Sequence, residues 1–261
     1  MPFPESPRVL YGKTPLTVVI CQVRFPPVLK IESQVPAGFQ ERIRATYPLL
    51  DEANEVPAGL PPEVARLMGM ALTEKGRKEW KFLSEDRQWA AVLARDFVAL
   101  TTDHYSRWEE FRQHLALLLE ALDVEYHPSF ATRVGLRYQN LIVRSELNLD
   151  GVPWSELLMP HIAAEYCSAE IADEIQEVSR RVVIELEEQT GLAHLRHGSA
   201  RQQGEDEQAY SLDADLFAAE KMEIPDVLAR LDVFNRVAAR LFRWCITERL
   251  HNAMEPALVP A

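Results

Sequence analysis

Residues 15–31 have the hydrophobic pattern of a β-strand, because apolar positions first alternate with polar ones and then form a run that stops at Pro26 and Pro27. Proline cannot donate a hydrogen bond to a sheet, so the strand is predicted to end at this pair. Apolar residues then recur at helical spacing within residues 35–47, which predicts a short helix.

The next segment changes from a loop to a hairpin pattern. Residues 51–62 are rich in acidic residues, proline and small residues, which is typical of a loop, and a short helical piece is predicted around Val64 to Leu72. Residues 78–103 contain two runs of strand-forming residues around a polar turn at 84–87. A β-hairpin is the simplest interpretation of that arrangement.

The helix that follows has the clearest periodicity of the chain. Ser106 is the predicted N-cap, and Glu109 lies three residues later, as in a capping box. The apolar residues that share one face of this helix are Trp108, Phe111, Leu115, Leu118 and Leu122.

The second half of the chain repeats this order of elements. The pattern predicts, in order, a strand at 131–143, a helix at 152–167, strands at 178–187 and 208–218 with a further candidate strand at 191–201, and an amphipathic helix at 224–254. The two opening strands match at Val23-Arg24-Phe25 and Leu136-Arg137-Tyr138, and the two closing helices match in the spacing of their apolar residues.

These matches predict an α+β fold made of a duplicated strand-helix-strand-strand-helix unit. The first copy is residues 1–125 and the second is 126–261, and together they are expected to form one pseudo-twofold domain with an antiparallel sheet or partial barrel and helices packed on one side. The alternative is a pair of independent ferredoxin-like domains, which have nearly the same element order but a different strand pairing.

Composition and charge narrow the classes of function. The chain has 261 residues, 47% of them hydrophobic, and a formal net charge of -12, which repels a phosphate backbone and argues against general nucleic-acid binding. Its three cysteines are far apart in apolar contexts, so they are predicted to be buried, reduced thiols. No leader-like start and no apolar run of membrane-spanning length is seen, so we expect a cytoplasmic protein without membrane contact.

Arginines within the two opening strands give the strongest hint of a site. Because side chains alternate across a strand, Gln22 and Arg24 share one face, and so do Arg133 and Arg137. If both strands lie near the pseudo-twofold axis, these side chains line one groove and can hold an anionic ligand. The alternative is that the arginines pair with carboxylates of the chain, for which the candidates are Asp96, Asp213, Asp215 and Glu185.

Two further residues of the candidate site, Tyr138 and Asn140, lie on the other face of their strand. Only one of the two sets can therefore line the groove. Asp213 and Asp215 also share a strand face, and with Asp96 they are the acids of an alternative enzymatic interpretation.

Several histidines and aromatic residues are expected to have structural roles and not to form a functional site. His194 and His197 lack a third metal ligand in the sequence and are predicted to be surface histidines. Aromatic residues in the first hairpin are expected to belong to the core rather than to stack on a ligand; they are Trp80, Phe82 and Trp89. No nucleophile elbow, phosphate-binding glycine loop or dinucleotide motif is found, so no catalytic residue, metal site or cofactor is predicted.

Several segments resemble a sporadically distributed family of bacterial proteins of unknown function and about this length. The resemblance is carried by QVRFPPVLKI (Gln22 to Ile31), HYSRWEEF (His104 to Phe111), RVGLRYQNLI (Arg133 to Ile142), DAD (Asp213 to Asp215) and FRWCITERLHNAM (Phe242 to Met254). It implies a bacterial cytoplasmic protein and supplies no catalytic residues. The element order is also similar to that of effector-binding domains of the gyrase-inhibitor type, which hold small molecules in a groove between their halves.

The leading hypothesis is a non-enzymatic binding module that holds a small anionic ligand or a segment of a partner protein in a groove between the two halves. The first alternative is a nuclease or hydrolase that acts on a nucleotide-like substrate through its acidic residues. The second alternative is a structural subunit of a bacterial assembly, with a possible link to defence, that uses the exposed flank of the last helix, including Trp244. A homodimer is one option for the oligomeric state.

Overall fold

The computed structural model describes residues 2–51, 78–187, 190–201 and 207–258. The helical piece predicted around Val64 to Leu72 lies outside these residues, as does nearly all of the loop predicted before it.

The described chain is a mixture of helices and strands with a large antiparallel sheet, which confirms the predicted mixed fold at this level. The strands are β1 (Val9–Tyr11), β2 (Leu16–Arg24), β3 (Leu49–Asp51), β4 (Glu79–Leu83), β5 (Trp89–Ala94), β6 (Phe97–Thr102), β7 (Arg133–Ile142), β8 (Ser179–Glu185), β9 (Leu192–Arg201), β10 (Gln208–Ala218) and β11 (Pro256–Leu258). The helices are α1 (Leu29–Ser33), α2 (Ala37–Ile43), α3 (Trp108–Tyr126), α4 (Trp154–Leu157), α5 (Pro160–Ala163), α6 (Val227–Cys245) and α7 (Glu248–Ala253).

The chain divides into two compact units that are discontinuous in sequence. Unit 1 comprises 1–19, 135–218 and 229–261, and unit 2 comprises 20–134 and 219–228. The boundary predicted between residues 125 and 126 separates the two copies of a proposed repeat and not two compact units, so it stays a prediction.

In unit 1 the strand order is β7-β10-β9-β8, and β9 pairs antiparallel with both β10 and β8. A separate two-stranded ladder joins β1 to β11. In unit 2 the order is β3-β4-β5-β6, followed by the part of β2 that belongs to this unit. Both units therefore contain an antiparallel three-stranded meander whose last strand neighbours the opening strand.

The first hairpin contains one more strand than its sequence pattern indicates. Arg95 and Asp96 form a tight turn that divides the second β-rich run into β5 and β6. The carbonyl groups of this turn accept backbone hydrogen bonds from Val28 (2.7 Å) and Phe25 (3.0 Å), so the turn is held by the chain that leaves β2. Because apolar residues continue on both sides of Arg95 and Asp96, the sequence pattern predicted a single strand across the turn.

Helix α3 has the predicted apolar stripe, and all five of its residues are buried. Its start differs from the prediction by one position, because Arg107 is the N-cap and no side chain caps the helix. The Ser106 hydroxyl instead donates a hydrogen bond to the carboxylate of Glu110.

Two helices predicted as continuous are broken, and one contact explains both breaks. Leu158 and Ile246 form an isolated antiparallel bridge, which requires extended backbone between α4 and α5 and again between α6 and α7. Thr247 restarts the second helix as the N-cap of α7, accepting a hydrogen bond from the Leu250 N–H. Such a bridge between distant segments leaves no trace in helical periodicity.

Two cysteines match their prediction and one does not. Cys21 and Cys245 are buried, and burial raises the pKa of both thiols. Cys167 is exposed at the end of a 3-10 turn, so its predicted burial is wrong. Separately, no helix within the described ranges has both the length and the apolar character that a membrane crossing requires.

Candidate functional site

A buried arginine and a buried aspartate form the centre of the candidate site in unit 1. Arg137 lies in the middle of β7, and Asp213 lies in the neighbouring strand β10. Arg137 Nε donates to Asp213 Oδ1 and Arg137 Nη2 donates to Oδ2, both at 2.6 Å. The two side chains are only 5% and 3% exposed, so this is a bidentate ion pair largely withdrawn from water.

A second arginine reaches the same carboxylate from the other side. Arg196 lies on β9 directly opposite Asp213, and its Nη1 donates to Asp213 Oδ2 at 3.3 Å. Its side chain is 41% exposed, in contrast to the buried pair. Two positive charges therefore converge on one negative charge, and one of the two arginines is open to solvent.

The buried part of this site contains polar atoms without a hydrogen-bond partner among the described residues. Arg137 Nη1 is one such donor, and Gln139 Oε1 is an acceptor of the same kind. Both residues lie on the same face of β7, because they are two positions apart. Buried polar groups normally have a hydrogen-bond partner, so a water molecule or a ligand is the expected partner of these two atoms.

Sequence reasoning missed the role of Arg196. The signal was present, because Arg196 lies in the HLRH segment, shares one face of β9 with His194 and lies on the face opposite to His197. What the sequence could not supply was the register that places Arg196 opposite Asp213.

The other face of β7 is occupied by contacts within unit 1. The Tyr138 hydroxyl donates to Asn235 Oδ1 at 2.9 Å, and the Asn140 amide donates to the Leu212 carbonyl at 3.2 Å. These two candidate residues thus satisfy polar groups of α6 and β10.

A buried histidine and tyrosine also lie in unit 1. His197 Nδ1 and the Tyr210 hydroxyl are 2.8 Å apart, and the Tyr210 hydroxyl also donates to the Ile162 carbonyl at 3.3 Å. Burial lowers the pKa of His197 and raises that of Tyr210. The prediction that His197 lies at the surface is therefore wrong, because its imidazole is buried and contacts the Tyr210 hydroxyl on the neighbouring strand.

Unit 2 contains the remaining candidate residues. Arg24 Nη2 donates to Asp96 Oδ2 at 2.9 Å, and this pair is more open, with the arginine side chain 42% exposed. Gln22 is half-buried on β2. Arg133 is half-buried at the start of β7, and its charge acts on the buried thiol of Cys21.

The structure thus pairs Arg24 and Arg137 with two carboxylates that the sequence had named as alternative partners. Asp213 uses both carboxylate oxygens in these contacts. No group of three histidine, cysteine or carboxylate side chains suited to a metal ion occurs in the part of the chain that the structure describes.

Trp244 does not form an exposed flank on the last long helix. Its ring stacks on His161, with centroids 3.8 Å apart, and contacts the ring of Phe3 at 5.5 Å. The side chain is half-buried within unit 1, and the helix surface suggested for assembly is occupied at this position.

The fold and this site define a mixed α/β protein with two arginines converging on a buried carboxylate. Neither the models of known protein families nor the curated proteins contain a match to the sequence.

Proposed function

We propose that this protein is a non-enzymatic binding module that holds a small anion, a carboxylate or a phosphate, on the face of unit 1 that carries Arg137 and Arg196. The observation that carries the proposal is the buried Arg137 Nη1, which has no hydrogen-bond partner among the described residues although the Arg137 side chain is only 5% exposed. A donor in that position favours an acceptor that carries negative charge.

The charge balance supports the same ligand class. Asp213 neutralises one of the two guanidinium groups, and the second positive charge is left on a chain whose formal net charge is -12. Arg196 is the part of the site that a ligand can reach first, because its side chain is partly exposed. A planar guanidinium matches the geometry of carboxylate and phosphate oxygens.

The position of Asp213 favours binding over catalysis. Its carboxylate accepts hydrogen bonds from two arginines, so it serves to orient them rather than to take up a proton or a metal ion. A partner-protein segment with an acidic side chain presents the same chemistry, but the nearly complete burial of Arg137 favours a small ligand.

We also propose that the chain is a duplication, as the sequence pattern predicts. Two features support this. The strand orders β2-β6-β5-β4 and β7-β10-β9-β8 correspond position by position. In addition, the aligned arginines Arg24 and Arg137 each pair with an aspartate, Asp96 at the β5–β6 turn and Asp213 on β10. The partial-barrel shape and the membership in the sporadically distributed bacterial family remain predictions.

The test of the binding proposal is calorimetric titration of the full chain with inorganic phosphate and with citrate, using chloride at matched ionic strength as the reference. We expect saturable binding that Arg196→Gln weakens by roughly five- to tenfold, since it removes one charged hydrogen bond at a partly exposed position. Arg201→Gln, a charge change at the exposed end of the same strand, is the control and is expected to leave binding unchanged.

An absence of binding beyond the chloride reference would contradict the proposal. Equal weakening by Arg196→Gln and Arg201→Gln would do the same, because it would indicate attraction by the general field of the protein rather than by this site.

A further inference from the structure

Strand β8 is an exposed edge of unit 1. Among the described strands it pairs on one side only, with β9. It is seven residues long, and its Val182 and Val183 are 42% and 50% exposed. An edge strand with free backbone groups and exposed apolar side chains is a template for pairing with another chain.

The backbone hydrogen bonds show which residues of β8 are available for such pairing. The Leu186 N–H donates to the Gly191 carbonyl and the Ser199 N–H donates to the Val178 carbonyl, both at 2.9 Å. Hydrogen-bonded and non-bonded pairs alternate along an antiparallel ladder. The even-numbered residues therefore bond to β9, and the odd-numbered residues of β8, at positions 179, 181, 183 and 185, direct their N–H and C=O groups outward.

We propose that β8 pairs antiparallel with β8 of a second copy of this chain, with the twofold axis at Val183. This register places the odd-numbered residues of both strands opposite one another, so their outward backbone groups can bond. Arg181 then lies opposite Glu185 of the partner subunit, and the symmetry repeats this ion pair on the other side of the axis. Val183 meets its own copy between the two ion pairs.

The charges select this register over its neighbours. Moving the axis by one residue in either direction, to Val182 or to Ile184, also keeps odd-numbered residues opposite one another. With the axis at Val182, Val183 lies opposite Arg181 of the partner subunit. With the axis at Ile184, Val183 lies opposite Glu185 of the partner subunit. On the other face, the proposed register sets Val182 opposite Ile184 of the partner subunit, which adds a pair of β-branched residues.

Unit 1 also places two residues of like charge opposite one another at this edge of the sheet. Arg181 lies directly opposite Arg196 on β9, and like charges in that arrangement destabilise a sheet. Neither Arg181 nor Glu185 forms an ion pair with any residue that the structure describes. A carboxylate of the partner subunit beside Arg181 supplies the missing counter-charge. The dimer does not depend on the proposed anion site, which uses Arg137 and Arg196.

The first test is a charge swap, followed by sedimentation equilibrium of the full chain over a range of concentrations. We expect a dimer whose dissociation constant rises roughly tenfold to a hundredfold with Arg181→Glu or with Glu185→Arg, because each change turns two attractions into two repulsions. The two changes combined exchange the charges and are expected to restore the dimer. The control is Glu177→Arg, which makes the same charge change as Glu185→Arg at an exposed position just before the strand and should leave the dimer unchanged.

The second test reads the register directly by disulfide formation. In a Cys167→Ser background, which removes the exposed native thiol, Val183→Cys is expected to give a covalent dimer on oxidation, because paired strand residues lie within disulfide distance. Val182→Cys should give little, since its partner position is Ile184. A wild-type monomer at all concentrations would overturn the proposal, as would failure of the combined charge swap to restore the dimer or preferential cross-linking of Val182→Cys.

Discussion

The carboxylate of Asp213 is the only counter-ion that the described residues place in hydrogen-bond contact with the buried guanidinium of Arg137. We expect Asp213→Asn to lower the free energy of unfolding by about 3–5 kcal/mol, because it leaves a buried positive charge uncompensated. Urea denaturation of the variant and the wild type measures this difference.

A matched comparison within the protein separates burial from ion pairing. Arg24→Gln removes the more open pair with Asp96 and is expected to lower the free energy of unfolding by about 1 kcal/mol or less, since Arg24 is 42% exposed. If the two substitutions had similar effects, burial would not be what makes the Asp213 contact important.

At this scale the sequence predicted which residue types would interact, but not which partners they would take. It named Asp96 and Asp213 among the candidate partners of the arginines because an acid-rich chain offers many carboxylates and a buried charge is normally paired. Arg137 and Asp213 are 76 positions apart, so their contact depends on the register of β7 against β10. A tight turn fixes the register of the two strands of a hairpin, but no such turn joins β7 to β10, so the local sequence does not show which of their residues face each other.

At the scale of single elements, the residue that ends helix α3 has a strained backbone conformation. His127 follows α3 with φ of 44°, in the left-handed region, and its side chain is exposed. A side chain disfavours this conformation and glycine does not, so we expect His127→Gly to raise the free energy of unfolding by about 0.5–1 kcal/mol. Thermal and urea unfolding measure the change.

The control is His127→Ala, which removes the imidazole but keeps the Cβ atom that causes the strain. It is expected to give no such gain. A gain of the same size from both substitutions would assign the effect to the imidazole and not to the backbone.

Long periodic elements were predicted well, and their interruptions were not. The apolar stripe of α3 has a helical period that is visible in the sequence, and the structure buries it as expected. The break between α6 and α7 results from the bridge between Ile246 and Leu158, which are 88 positions apart in the sequence (246 minus 158). The overall order of strands and helices could thus be predicted locally, whereas contacts between distant segments decide where each element stops.

Across the whole molecule, four histidines share one direction of pKa shift. Burial lowers the pKa of His114, His161, His197 and His251 in the folded state. Around His197 the charges of Arg180 and His161 act in the same direction, and Glu165 opposes them. These side chains lie in both units, so their effect on stability belongs to the molecule and not to one site.

The sign of the resulting pH dependence follows from proton uptake. Below about pH 6.5, the unfolded chain protonates its histidines while the folded chain resists protonation, so acidification favours unfolding. We expect the free energy of unfolding to be fully retained above about pH 6.5 and to fall as the pH is lowered below that value, toward the lowered pKa values of the folded state. Urea denaturation at a series of pH values measures the slope, and His197→Gln should reduce the slope even though loss of the contact with Tyr210 lowers stability at every pH. A slope that His197→Gln leaves unchanged, or stability that rises on acidification through this range, would contradict the lowered pKa of the buried imidazole.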